Sequence, residues 1–143
     1  MLSSSRFVVA VHLLSLLAHY GKKGPVCSNT IAKSVDTNPV VVRRMMSQLE
    51  RHQLVTSTSG RSGGFLLARP PTEISLADIY EAVEDEQVFR LHKHGVEAEC
   101  EFARSIMRSL SPKLCDASQA MRKSLADTKL GEIIETYAER AVA

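Results

Sequence analysis

The stretch from Asn38 to His52, NPVVVRRMMSQLERH, restricts the fold more than any other part of the chain. Asn38 can accept a backbone N–H at a helix start, and Pro39 suits the first helical position, where an N–H has no intrahelical partner. Val42, Met45, Met46 and Leu49 recur at i, i+3, i+4 and i+7 and form one apolar stripe. The opposite face carries Val40, Val41, Arg43, Arg44, Ser47 and Gln48. This helix must lie on a core with a polar, basic face turned outward.

Its neighbours complete a unit. Phe7, Ala10, Val11, Leu14, Leu17 and Ala18 fall at helical spacing and predict a helix over 4–20 that Gly21 ends. Arg6 ahead of this apolar run resembles a secretory signal, but His12 and Ser15 interrupt it and no small-residue cleavage pattern follows. After the Gly24-Pro25 turn, Ser28 reads as the N-cap of a short helix over 29–35 that buries Ile31, Ala32 and Val35. Two helices joined by a tight turn, with arginines early on the outer face of the second, match a helix-turn-helix. Leu54–Thr58 and Phe65–Ala68 are β-prone runs on either side of a Gly-rich loop and predict a hairpin. Three helices followed by a hairpin is the order of a winged helix-turn-helix.

Beyond Pro70-Pro71, Ser75 and Asp78 form a capping box for a helix over 76–86, burying Leu76, Ile79, Ala82 and Val83. From Glu99 a long amphipathic pattern shows Phe102, Ile106, Leu110, Leu114, Met121 and Leu125, with Pro112 expected to kink or restart it. A final helix over about 130–140 carries Leu130, Ile133, Ile134 and Tyr137. The expected fold is mainly α with a small β-hairpin: a winged helix-turn-helix plus a long C-terminal dimerisation helix. The boundaries are a DNA-binding domain over 1–72, a connecting helix and linker over 73–98, and dimerisation helices over 99–143.

The net charge of +2 hides an uneven distribution. Up to Pro70 there are nine Lys/Arg against two Asp/Glu, a balance of +7; from Pro71 onward nine face fourteen, a balance of −5. A basic half joined to an acidic half implies that only the first half meets a polyanion. With no Trp and 5% aromatics, a base-stacking platform for single strands is not indicated.

The loop Thr58–Phe65, TSGRSGGF, could cradle a nucleotide or serve as a plain turn. No G-K-[ST] follows it, so a nucleotide-binding loop lacks its context. No Ser/His/Asp or paired-carboxylate constellation stands out either, and no enzyme is expected. As the tip of a wing, its glycines permit close backbone approach, Ser59 and Ser62 offer hydroxyls to phosphates, and Arg61 can reach a narrow minor groove.

The serines and arginine before the first helix, the run NPVVVRRMMSQLERHQLV and the stretch SGRSGGFLLARPPTEISLADIYEAVE resemble the Rrf-two (Rrf2) family of bacterial transcription regulators, over nearly the whole chain. The resemblance implies a homodimer that binds double-stranded DNA through the winged helix-turn-helix and pairs through the long C-terminal helix. It implies that Ser5 and Arg6 touch the DNA backbone, that Arg43 and Arg44 read bases or grip phosphates, and that Arg61 enters the minor groove. The candidate DNA-binding set is therefore Ser5, Arg6, Ser28, Asn38, Val40, Val41, Arg43, Arg44, Ser47, Gln48, Ser59, Gly60, Arg61, Ser62, Gly63 and Gly64. Val40 and Val41 have two open readings, contact with thymine methyls or cover for the preceding helix. The expected function is a transcriptional regulator, a repressor on a palindromic operator, responding to redox state or a small-molecule effector. The alternative is a winged-helix protein-interaction module, which would not need the basic face.

Three cysteines at irregular spacing argue against a disulfide framework and for reduced, cytoplasmic thiols. The cluster-binding branch of the family uses three closely spaced cysteines before the dimer helix; here only Cys100 lies there, and Cys115 follows fifteen residues later. An iron–sulfur cluster normally needs about four ligands, so none is expected. Cys100 is a candidate redox sensor at a helix start, although Glu97, Glu99 and Glu101 oppose its ionisation. Cys27 and Cys115 read as packing residues. His92 and His94 fall short of the three or four ligands of a zinc site, and no metal is expected.

Overall fold

The structure, a computed structural model, describes residues 5–84, 88, 89 and 99–142. They form two compact units, Met1–Asp85 with Ala126–Ala143, and Glu86–Leu125.

In the first unit, helix α1 spans Ser5–Tyr20, α2 Ser28–Ser34 and α3 Pro39–Arg51. α1 buries Ala10, Leu13, Leu14 and Leu17, while Val42, Met45, Met46 and Leu49 of α3 are all buried, as the spacing requires. Asn38 accepts from the Val40 N–H at 2.8 Å, with Pro39 at the first position of α3. Ser28 is not the cap of α2: Cys27 occupies that position and Ser28 is the first helical residue. Both helices end on left-handed residues that are not glycine, Asp36 (φ 50°) and Gln53 (φ 57°). The Thr37 N–H bonds the Ala32 carbonyl (3.0 Å) and the Leu54 N–H bonds the Leu49 carbonyl (3.0 Å), the six-to-one closure of a Schellman turn.

Strands β1 (Val55–Thr58) and β2 (Gly64–Leu67) form an antiparallel hairpin with Val55 opposite Leu67 and Thr58 opposite Gly64. Val26 pairs with Phe65 through two hydrogen bonds, 3.0 and 2.9 Å, so the residues entering α2 are stitched to the hairpin. Gly64 makes this approach feasible, because a Cβ there would stand 2.5 Å from the Val26 carbonyl carbon and oxygen.

Helix α4 spans Leu76–Val83 and ends three residues before the expected 86. The Ser75–Asp78 capping box is present in both directions, at 2.9 and 3.0 Å. Phe7 of α1 meets Tyr80 of α4 edge to face at 5.6 Å. The last helix, α6, spans Leu130–Val142 and packs against α1. Its Leu130 is fully buried, and its N–H bonds the Ile74 carbonyl while the Leu76 N–H bonds that of Thr128. Ile79, Ala82 and Val83 of α4 and Leu130 of α6 thus share one core with the buried residues of α1 and α3.

Helix α5 spans Glu101–Asp127, 27 residues and about 40 Å at 1.5 Å per residue. Pro112 lies inside it and does not restart it. Both Pro112 and Arg108 are exposed, so water can take the carbonyl that the proline leaves without a donor. No residue of α5 is buried.

Candidate nucleic-acid interface

The outer face of α3 is built from the residues that its stripe turns away from the core. Val40 and Val41 are 60% and 49% exposed. Arg43, Arg44 and Ser47 are exposed, and Gln48 is half-buried.

Several of these side chains are held. Arg43 donates from Nη1 to the Ser28 hydroxyl at 3.2 Å, linking the start of α2 to α3. Ser47 donates to the Arg43 carbonyl at 3.0 Å. Arg6 donates from Nη2 to Gln48 Oε1 at 2.9 Å, which brings the start of α1 beside the same face. Ser5 is the exposed first residue of that helix. Among the described residues Arg44 makes no hydrogen bond or ion pair, so its guanidinium fork is free for a partner.

The loop Ser59–Gly63 joins the two strands, with Ser59, Gly60, Arg61 and Ser62 all exposed. Gly60 has a left-handed backbone (φ 103°), and the Gly63 N–H bonds the Gly60 carbonyl at 3.1 Å. The turn is thus closed by its own backbone while Arg61 projects from its tip.

Three residues outside the expected set shape this surface. Glu50 of α3 accepts from both the backbone N–H (3.0 Å) and the hydroxyl (2.7 Å) of Ser57 in β1, tying hairpin to helix. No local pattern links positions seven apart across a turn, so the sequence carries no signal for it. Val26 is the second, through its bridge to Phe65. The third is Cys27, which is exposed rather than packed and whose Sγ shares a hydrogen bond with the Thr30 hydroxyl at 3.1 Å. That hydroxyl, with the backbone N–H groups of Thr30 and Asn29, favours the thiolate and holds the Cys27 thiol below the usual cysteine range, against slight opposition from burial.

Cys100 lies just ahead of α5 and is exposed, as is Cys115. About 20 Å of helix separates these two thiols, and Cys27 belongs to the other unit. Among the described residues no three His, Cys, Asp or Glu come together as metal ligands. His92, His94 and Glu97 lie outside the described residues. No described helix is long and apolar enough to cross a membrane.

Residues 3–136 match the family model Rrf2, described as an iron-dependent transcriptional regulator. YwnA of Bacillus subtilis (strain 168), named among the HTH-type transcriptional regulators, is 36% identical over 132 residues, covering 92% of this chain and 96% of YwnA. A crystal structure described as that of a DNA-binding protein superposes with a TM-score of 0.72 at 35% identity, covering 91% of this chain and 99% of the other. IscR of T. potens shares the fold at a TM-score of 0.73 and 22% identity, over all of this chain and 93% of IscR. Both the family and YwnA are described as transcriptional regulators. With a helix-turn-helix, a stitched hairpin and a family match that runs through the long helix, the chain belongs to the Rrf2 family of transcriptional regulators.

Proposed function

We propose that this regulator binds double-stranded DNA sequence-specifically as a homodimer on a palindromic operator, acts as a cytoplasmic repressor, and does so without a thiolate-held iron–sulfur cluster. The observation that carries the reading is the outer face of α3, where Arg44 is free beside exposed Val40 and Val41 and a held Arg43. Such a face suits a major groove: a guanidinium fork can pair with guanine, and apolar side chains can meet thymine methyls. Arg61 at the hairpin tip would reach the adjacent minor groove. Ser5, Arg6, Ser28, Asn38, Ser47, Gln48, Ser59, Gly60, Ser62, Gly63 and Gly64 would position the backbone through phosphates.

A 27-residue helix with no buried residue, exposing Phe102, Ile106 and Leu110, supports pairing with a second copy. Two copies related by a two-fold axis would place their α3 helices about one helical turn of DNA apart, hence the palindrome.

The test is a gel shift of genomic fragments across a salt series, followed by footprinting. The expected result is a protected symmetric site overlapping a promoter, with affinity falling steeply as salt rises. Binding that ignores sequence and salt would instead favour a winged helix used for protein contacts.

A further inference from the structure

A cleft of about 460 Å³ opens in the first unit between the end of α1, strand β2 and the segment that leaves the hairpin. Leu17 and Ala18 of α1, Leu66 and Leu67 of β2, and the Pro70-Pro71 pair make its apolar walls. Gly21 brings the end of α1 close against the strand: a Cβ there would stand 3.2 Å from Leu66 Cδ2. A helix, a strand and two prolines of fixed φ are rigid walls, so the cleft is largely formed before anything enters it. Its volume falls in the range of small-molecule sites, which pair an apolar lining with a few polar anchors.

Two cations complete the lining, and it contains no carboxylate among the described residues. Arg69 is already drawn to Asp78, its Nη2 3.8 Å from Oδ2, while its buried Nε has no acceptor among the described residues. Lys22 is exposed, and among the described residues its ammonium makes no hydrogen bond or ion pair. The open charge of the cleft is therefore Lys22. An ammonium with three donors on a flexible stem, beside walls of leucine and proline, suits an anion with an apolar body. The cleft adjoins the C-terminal end of α1, where the helix dipole opposes negative charge. One ammonium can offset that opposition for a single carboxylate, whereas a phosphate dianion would meet it with twice the charge.

We propose that this cleft binds a small carboxylic acid with an aliphatic or aryl body, the body against Leu17, Leu66 and Pro70-Pro71 and the carboxylate on Lys22. No lining residue belongs to the proposed DNA-binding set, and Ala18 lies about 18 Å along α1 from Arg6. The site goes beyond the DNA-binding reading and does not rest on it. A ligand there would touch β2, the strand that leads away from the Arg61 loop.

The test is an amide-resolved NMR titration of the full-length protein with octanoate, octylamine and octanol, which share one body and differ in head group. The same spectra show that each variant is folded. Octanoate should give saturable shifts at Gly21, Lys22, Leu66 and Leu67, with none in α5 or at Arg43 and Arg44. Lys22→Gln should weaken octanoate by about tenfold, towards the level of octanol, and octylamine should bind more weakly still. Lys23, exposed and outside the lining, is the control, and Lys23→Gln should leave the affinity unchanged. No saturable shift at the cleft amides, equal affinity for the three probes, an unaffected Lys22→Gln variant, or an equal loss in Lys23→Gln overturns the proposal.

Discussion

The Glu50 carboxylate accepts both the backbone N–H and the hydroxyl of Ser57, at 3.0 and 2.7 Å, and so fixes β1 to α3. An acidic group therefore holds together a surface proposed to meet a polyanion. Its two substitutions separate charge from support. Glu50→Gln keeps an acceptor while removing the charge, and should bind DNA more tightly with little change in stability. Glu50→Ala removes both and should cost about 1 kcal/mol in urea denaturation, with weaker DNA binding as the hairpin loosens. Tighter binding by the alanine variant would show that Glu50 acts only through its charge.

Gly64 passes close beneath Val26, and a methyl group there has no room. Gly64→Ala should destabilise the protein by about 1–3 kcal/mol, since the backbone must move to admit it. Amide exchange at Val26 and Phe65 should accelerate more than at Val55, because the bridge yields before the hairpin. Unchanged exchange at Val26 would contradict this account.

Arg44 and Arg61 should fail in different ways. Arg44→Ala is expected to lose about 1–3 kcal/mol of discrimination between the operator and a scrambled duplex. Arg61→Ala should weaken binding to both duplexes alike and lower the salt slope by about one. Competition gel shifts at several salt concentrations distinguish them; an Arg61→Ala variant with an unaltered slope would make that loop an idle turn.

Cys27 carries a pH dependence of defined sign. Its thiol is an acid held below its usual range, so the stabilisation it contributes is present above the unfolded value and fades as pH falls through the folded one. Its alkylation rate should accordingly reach half-maximum at a lower pH in the native protein than in urea. Thr30→Val removes the hydroxyl that contributes most to the shift and should move the native midpoint up. Identical midpoints for the variant and the wild type would refute the role of Thr30.

Much of the fold was legible from residues a few positions apart. The Asn38-Pro39 start, the buried stripe of α3, the Ser75–Asp78 box and the hairpin around the Gly-rich loop all follow from residue types at short spacings along the chain. The outward residues of α3 followed from the same periodicity, which is why Arg43, Arg44, Val40 and Val41 stood together in the sequence. The two left-handed helix ends carry no such local signal, because Asp36 and Gln53 stand where glycine is usual.

Only the tertiary structure decided the rest. The Val26–Phe65 bridge, the Glu50–Ser57 tie, the Arg6–Gln48 bond and the seating of Leu130 beside Ile74 join residues that no local pattern pairs. Local signals record which face of an element is apolar. Which elements meet on those faces depends on how the stripes of α1, α3, α4 and α6 bury one another, a collective property of packing that no single stretch of chain contains.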